Sequence, residues 1–482
     1  MYGKIKILIC MLCFFLVSSA AIATAESPTP VKNILYIIAD DLKASTIGCY
    51  GDEICQTPNI DRLAKEGVRF TRAYAQGTAC AQSRPSLMFG RYTQARINTR
   101  EHKSFPQLMK EQGWYSARVG KIFHMAVPND VIHGTDGVDH PPSWTERFNC
   151  QGLEQDTPGA YACLNQNIFK TDLEDRAGIK HPDRMYVSVR MPKDTKDQPD
   201  QKAADKAIEL LQAHKDEPFV LAVGFVRPHY PMVAPETYFA PYHWEDITMP
   251  ERREGDWNDI PLQGIPKFTS KSKGLDRYPD NQRRMWADYY AAVSFMDEQL
   301  GKVLDELERL GLKESTAIVF TSDHGYHLGE HDFWQKSNLH EESQRVPLII
   351  AAPGVAPGES DALAELTDIY PTVLDYAGVD VPDFCEGLSL RPVLENPDAD
   401  IRDYAFSYHG GEKPIQFSLR GKRWAYMHYG PEIEELYDMD ADPKQFTNLA
   451  KNAKYKEVLG ELRGVLAKKR AAMKAKDQLA SR

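Results

Sequence analysis

The stretch Asn33 to Ala39 is a short apolar run rich in isoleucine that stops at two acids, Asp40 and Asp41. A run apolar on both faces predicts a buried strand whose carboxyl end presents those carboxylates. Thr57-Pro58-Asn59 then opens a helix through Glu66, and Gly67 stops it. Val68 to Tyr74 alternates apolar and polar residues as a strand and delivers the chain to Cys80. Ser104-Phe105-Pro106 starts a further helix closed by Gly113, and Tyr115 to Val119 reads as a strand. Residues 126–200 are rich in Pro, Asp, Gly and His without clear periodicity, and irregular chain of that length is commonly functional. Regularity returns with a helix near Asp200 to His214 and a strand at Phe219 to Phe225. An amphipathic helix follows over Arg283 to Leu310, then buried strands at Ala317 to Thr321 and Pro347 to Ala351, then a helix from Asp368 to Tyr376.

Strands alternating with helices predict an α/β fold with a large, mostly parallel central sheet. Ligands of such sheets gather beyond the carboxyl ends of the strands, where Asp40, Asp41, Asp323 and His324 all fall. Past about Pro397 the pattern changes to a hairpin over Phe417 to Tyr429, the segment Glu435 to Asp438, and a basic terminal helix. The reading is a leader over 1–25, a catalytic α/β domain over 26–397 and a small C-terminal α+β subdomain over 398–482.

The leader rests on Lys4 and Lys6, an apolar core from Ile7 to Val17, and Ala23-Thr24-Ala25 as a small-residue cleavage site. The apolar run is shorter than the roughly 20 residues a membrane span needs. We therefore expect an exported protein, periplasmic or secreted, with no membrane span once the leader is gone. Losing Lys4 and Lys6 and no acid moves the net charge from −11 to −13. A chain this acidic is no general polyanion binder, nucleic acid included, so an anionic substrate needs a focused basic pocket. Export permits disulfides, and Cys150 and Cys163, which enclose a Gly/Gln/Asn-rich loop, are the candidate pair.

Individually the chemical motifs are ambiguous. Adjacent acids such as Asp40-Asp41 serve as turn or helix caps as readily as metal ligands, and the same holds for Asp323. Arg84, Lys121 and Lys336 read equally as solvated surface cations. His124 follows Lys121 by three and shares its side if the segment is helical. In Arg227-Pro228-His229-Tyr230-Pro231 the prolines set an extended loop that can hold His229 rigidly.

The run Cys80-Ala81-Gln82-Ser83-Arg84 with Gly90-Arg91 resembles the signature of the type I, formylglycine-dependent sulfatases, Cys-x-Pro-Ser-Arg closing in Thr-Gly-Arg. Gln82 and Phe89 depart from it. Gly120-Lys121-Ile122-Phe123-His124, Arg227-Pro228-His229 and Thr321 to Lys336 follow in the family's order, and the Asp323-His324 pair looks most like the iduronate-2-sulfatase branch. The resemblance implies an alkaline-phosphatase-like α/β sandwich. It implies a cation, calcium rather than magnesium or manganese, on Asp40, Asp41, Asp323, His324 and residue 80. It also implies conversion of Cys80 to formylglycine (3-oxoalanine) by a formylglycine-generating enzyme. Catalytic roles then fall to Cys80, Arg84, Lys121, His124, His229 and Lys336, and a disulfide like Cys150–Cys163 occurs in that branch. The expected substrate is a sulfated polysaccharide or its oligosaccharides, a uronic acid 2-O-sulfate or an algal glycan such as ulvan, with His327, Trp334 and His409 as sugar-lining candidates. The rival readings are a phosphate or phosphonate ester hydrolase of the same superfamily, and an unconverted sugar-binding pseudoenzyme.

Overall fold

The computed structural model describes residues 30–93, 96–170, 186–410 and 415–480; the proposed leader lies outside them. Eight strands build the main sheet. In chain order they are β1 (Asn33–Asp40), β2 (Val68–Tyr74), β3 (Tyr115–Gly120), β4 (Glu146–Phe148), β5 (Phe219–Pro228), β6 (Thr316–Ser322), β7 (Arg345–Ala351) and β8 (Gly358–Glu365). Their spatial order is β8-β2-β7-β6-β1-β5-β3-β4. β1 sits in the middle, parallel to β6 on one side and β5 on the other. All eight of its residues are buried, which is why its sequence is apolar without alternation. The sheet is mixed, because β7 runs antiparallel to both β6 and β2.

Alternate residues of β1 feed two cores. Leu35, Ile37 and Ala39 pack with the helices Pro58–Ala64, Pro199–His214 and Pro279–Arg309. Ile34, Tyr36 and Ile38 pack with Cys80–Phe89, Phe105–Glu111 and Ile369–Ala377 on the other face. Helices thus cover both faces, leaving the strand ends as the place for a site. Among the described residues no helix is long and apolar enough to cross a membrane.

The stretch expected to be irregular holds short strands instead. Ala160–Cys163, Ile168–Lys170 and Val187–Met191 join Met232–Pro235 in a four-stranded sheet. Strands of three to five residues are too short to print a period on the sequence. The disulfide expected between Cys150 and Cys163 is not formed, and no disulfide joins any described cysteines. Cys150 packs in the main core, whereas Cys163 belongs to the core of the small sheet, where its Sγ donates to Asn165 Oδ1 at 3.4 Å.

A second antiparallel sheet, Tyr404–His409, Gln416–Gly421, Trp424–Gly430 and Ile433–Asp438, follows in plain meander order and is backed by helix Lys456–Ala480. Its first strand grips the loop that leads into Cys80. Tyr408 N donates to Gln76 O at 2.6 Å, Ser407 Oγ to Ala75 O at 2.6 Å, and Tyr408 OH to Gln82 O at 3.2 Å.

At the crossing of β3 and β5, Gly224 leaves no room for a side chain. A Cβ there falls on the backbone of Lys121, and backbone atoms cannot yield as a flexible side chain does. Gly224→Ala is expected to lower stability by about 1–3 kcal/mol, read as a lower urea midpoint.

Candidate active site

Six chain segments bring their functional side chains to the carboxyl edge of the sheet. β1 ends at Asp40, and the next residue, Asp41, turns left-handed at φ 63°. Acids tolerate that region better than most residues, and the turn is pinned from three sides. Asp41 N donates to Asp323 Oδ1 at 3.2 Å, Leu42 N to Ser322 Oγ at 2.9 Å, and Tyr289 OH to Asp41 O at 2.7 Å. β6 delivers Asp323 and His324, β3 delivers Lys121, and β5 delivers His229. Cys80 opens its own helix, and Gly77 allows the tight approach, since a Cβ there meets the Cβ of Gln82 and the backbone of Ser83. Lys336 arrives last, between Gln335 and Ser337, both at positive φ.

Around the Cys80 Sγ stand Lys336 Nζ at 3.1 Å, His324 Nε2 at 3.2 Å, Asp40 Oδ1 at 3.5 Å and Asp41 Oδ1 at 3.8 Å. Arg84, one turn along the same helix, is fully buried. It donates from Nε to Asp323 Oδ2 at 2.8 Å, from NH2 to Asp40 Oδ1 at 2.9 Å, and from NH1 to the carbonyls of Lys121 (2.6 Å) and Ile122 (2.9 Å). Lys121 pairs with Asp40 and Lys336 with Asp41. Three carboxylates and three fixed cations therefore share one buried space.

Burial pulls the Asp40 carboxyl up, but Lys121 and Arg84 together outweigh it and hold the group well below the usual range. Asp41 is likewise lowered: burial works against it and His229, Lys336 and His324 prevail. The Cys80 thiol is pushed well up, by burial first and then by Asp323 and Asp40. An unmodified Cys80 is thus a thiol rather than a thiolate, and a poor nucleophile. Burial also depresses His229 to about 3 and, with Lys121 adding repulsion, His124 to about 4. His229 Nδ1 lies 2.7 Å from Tyr230 O, which assigns the proton to that nitrogen and turns Nε2 toward Asp41 Oδ2 at 3.7 Å.

The donor set fits a divalent cation. Asp41, Cys80, Asp323 and His324 each offer one ligand atom within 4.8 Å of the others, and Asp40, Asp41, Cys80 and His229 form an overlapping group. Asp41 Oδ2 is buried with no hydrogen-bond partner, a costly state for a carboxylate that a metal bond relieves. Carboxylate-rich donors suit calcium, and the imidazole of His324 keeps magnesium and manganese in contention.

The ten residues expected at the metal and catalytic positions converge here, with His124 partly exposed at the edge and its Nδ1 lacking a partner. His327 and Trp334, expected to line a sugar subsite, do not present themselves. Both are fully buried, His327 on Asn338 Oδ1 at 3.1 Å and Trp334 donating to Ser270 Oγ at 2.7 Å. His409 stays at the rim, its Nδ1 2.8 Å from Thr78 Oγ1. Thr78, missed in the sequence, ties this rim together by accepting from Ser337 N at 3.1 Å. No periodicity or motif marks a threonine for that role.

Comparison with known proteins gives a consistent picture. The family described as Sulfatase matches residues 32–379, and that described as N-sulphoglucosamine sulphohydrolase, C-terminal, matches residues 329–472. A sulfatase of Formosa agariphila is 29% identical over 92% of this chain and 88% of its own length. The iduronate 2-sulfatase of Homo sapiens is 32% identical over 75% of this chain and 72% of its own. Among solved structures, the phosphonate monoester hydrolase of Agrobacterium radiobacter superposes with a TM-score of 0.73 at 25% identity, covering 93% of this chain and 96% of that one.

Two outcomes follow from the electrostatics. Calcium added to chelator-treated protein is expected to raise the melting temperature, by a stabilisation of about 2.7 kcal/mol at a hundredfold excess over Kd. Asp41→Asn should abolish the response, and a variant that still responds fully would remove Asp41 from the ligand set. For His124 the sign runs with alkalinity: its pKa falls from 6.5 to about 4 on folding, so its contribution is complete above pH 6.5 and is lost as pH drops toward 4. His124→Gln should therefore flatten the fall in unfolding free energy between pH 7 and pH 5 by ~2 kcal/mol, measured by urea titration.

Proposed function

The chain belongs to the sulfatase family, and on that premise we propose that it hydrolyses sulfate esters on the sugars of an anionic polysaccharide or its oligosaccharides, with Cys80 as the formylglycine precursor. The sulfuric ester hydrolase activity is the family's; the residue roles and the substrate are our reading. One observation carries it: residue 80 stands within 3.8 Å of two strand-end acids, an imidazole and a lysine, in a buried pocket whose three acids and three bases balance. A divalent cation on those acids would make it the focused positive site an anionic ester needs.

Asp40, Asp41, Asp323 and His324 would hold the cation, whose chemistry is to acidify a hydroxyl at residue 80 and draw the sulfate oxygens. Formylglycine would supply what cysteine cannot, a hydrated aldehyde with one hydroxyl to attack sulfur and a second whose deprotonation releases the sulfate. Arg84 keeps two of the acids immobile and places positive charge beside residue 80. Lys121 and Lys336 hold the sulfate oxygens as negative charge grows, an electrostatic clamp already oriented by Asp40 and Asp41. His124, neutral at neutral pH with an unpartnered nitrogen, is suited to take a proton. His229 is also neutral in the free site; an anionic ester beside it raises its proton affinity, fitting it to protonate the departing sugar oxygen.

For the sugar, the likeness to an iduronate 2-sulfatase supports a uronic acid 2-O-sulfate or a related residue, and His409 at the rim supports contact with the ring. The leader features at Lys4, Lys6 and Ala23-Thr24-Ala25 support action outside the cytoplasm. A second reading, phosphonate or phosphate ester hydrolysis, has the structural likeness to a phosphonate monoester hydrolase in its favour.

The test co-expresses the chain with a sulfatase-maturing enzyme. Arg84 precedes Pro85, so trypsin leaves a peptide from Ala73 to Arg91, and its mass should report the aldehyde in place of the thiol. The converted protein should release sulfate from aryl sulfate and from 2-O-sulfated uronic oligosaccharides, and Cys80→Ala should lose on the order of a thousandfold in kcat. A thiol-only peptide without turnover sinks the enzyme reading, and a large preference for aryl phosphate or phosphonate selects the second one.

A further inference from the structure

His229 sits on a loop, and the structure shows what keeps that loop in place. Arg227, two residues earlier and essentially unexposed, folds its guanidinium back over the loop. Its NH1 donates to His229 O at 3.0 Å and its Nε to Val233 O at 3.2 Å, so one planar group spans the turn from its working residue to its far end. The same guanidinium is seated from behind. NH2 donates to both oxygens of Glu154, at 2.8 and 2.9 Å, and that carboxylate is fully buried at a residue whose φ is 51°. The backbone is seated as well. Asp200, in the first turn of helix Pro199–His214, accepts from Val226 N at 2.7 Å and Arg227 N at 2.9 Å.

One buried carboxylate thus seats the guanidinium and a second seats the backbone it springs from, and burial raises the pKa of both while Arg227 opposes it. Buried charge of this kind is expensive and purely structural anchoring could be done with apolar groups. What an apolar group cannot do is fix two carbonyls and a carboxylate in a single plane. Glu154 also ties the segment before the small sheet to the loop of His229, linking two parts of the chain that no motif connects.

We propose that Glu154, Arg227 and Asp200 form a positioning unit for His229: the Glu154 carboxylate orients the Arg227 guanidinium, which holds the His229 loop at the distance the ester requires. The unit touches no substrate and acts through His229. This rests on the role given above to His229 in ester cleavage. Positional error of about 1 Å at a reacting group costs on the order of a hundredfold in rate, which sets the scale of the effect.

The experiment is a double-mutant cycle on the converted holoenzyme with whichever aryl ester, sulfate or phosphonate, the wild type hydrolyses. Glu154→Gln keeps the shape and one acceptor but gives up the charged pair, and Arg227→Lys keeps the charge but gives up the fork. Each is expected to lower kcat by about 10- to 100-fold with KM changed less than about twofold. In a His229→Ala background each should change kcat by less than about twofold, because the residue it positions is gone. Circular dichroism and melting curves identify the variants that fold, and Asp200→Asn stands in for one that does not. A folded Glu154→Gln enzyme with wild-type kcat, or losses that multiply onto His229→Ala, overturns the positioning unit. A His229→Ala enzyme as active as wild type overturns the role of His229 itself, and the inference with it. Equal losses in both backgrounds would mean a general structural contribution and also reject it.

Discussion

Arg84 is the constraint on which the site depends. It lies at zero exposure between Asp40 and Asp323 and fills its remaining reach with two main-chain carbonyls. Three carboxylates crowded at the end of a sheet repel one another, and each needs a counter-charge close by. Arg84 supplies one to Asp40 and Asp323 together, with a group that cannot lose its own charge. Removing it would leave uncompensated buried charge, at a cost of about 3–5 kcal/mol. Because Arg84 and Cys80 share one helix, the counter-charge and the reactive position cannot move independently. The acids keep their counter-charge and the side chain at position 80 stays among them for the same reason.

The scaffold was largely legible because burial on two faces writes itself into composition. β1, β5 and β6 are continuous apolar runs, and Asp40, His229 and Asp323 stand at or just beyond their ends, whereas Lys121 follows a strand broken by Ser116 and Arg118 and is marked only by the family resemblance. Joining those ends into one site required neighbourhood across almost three hundred residues, which spacing alone does not give; the family resemblance supplied it. Trp334 and His327 misled for a physical reason. An aromatic or imidazole in a loop reads as a ligand-facing group, yet both pack inside a tight two-stranded turn, where Asn338 meets His327 Nε2 and Ser270 accepts from Trp334. Glu154 was invisible from the other direction. A glutamate in a stretch without periodicity carries no sign that it will be fully buried against an arginine. Cys150 and Cys163 show the limit of loop length as a guide, since two cysteines close in sequence ended in different cores.

The site is built on two levels of rigidity. Asp40, Asp323 and Lys121 stand at the ends of central strands and inherit the stiffness of the sheet. His229, Lys336 and His124 stand on connections and need local support: Tyr230 and Arg227 supply it to His229, the turn around Gln335 and Ser337 to Lys336, and an antiparallel bridge to Val138 to His124. For the acids the division matches the proposed labour, since groups that would hold a cation gain from immobility, whereas groups that would meet the ester have to admit it first. Lys121 is the exception, a group proposed to meet the ester from a rigid strand end.

The strand Tyr404–His409, which closes over the loop before Cys80, also sets a schedule. Its bonds to Ala75 and Gln82 join residues 332 and 326 positions apart in sequence. A ribosome adding about 5–20 residues per second needs on the order of tens of seconds to make that much chain. Throughout that interval the segment around Cys80 exists without the partner that seals it. The covering of Cys80 is therefore timed by the length of the polypeptide that follows it, and any enzyme that must reach this cysteine has that long to do so.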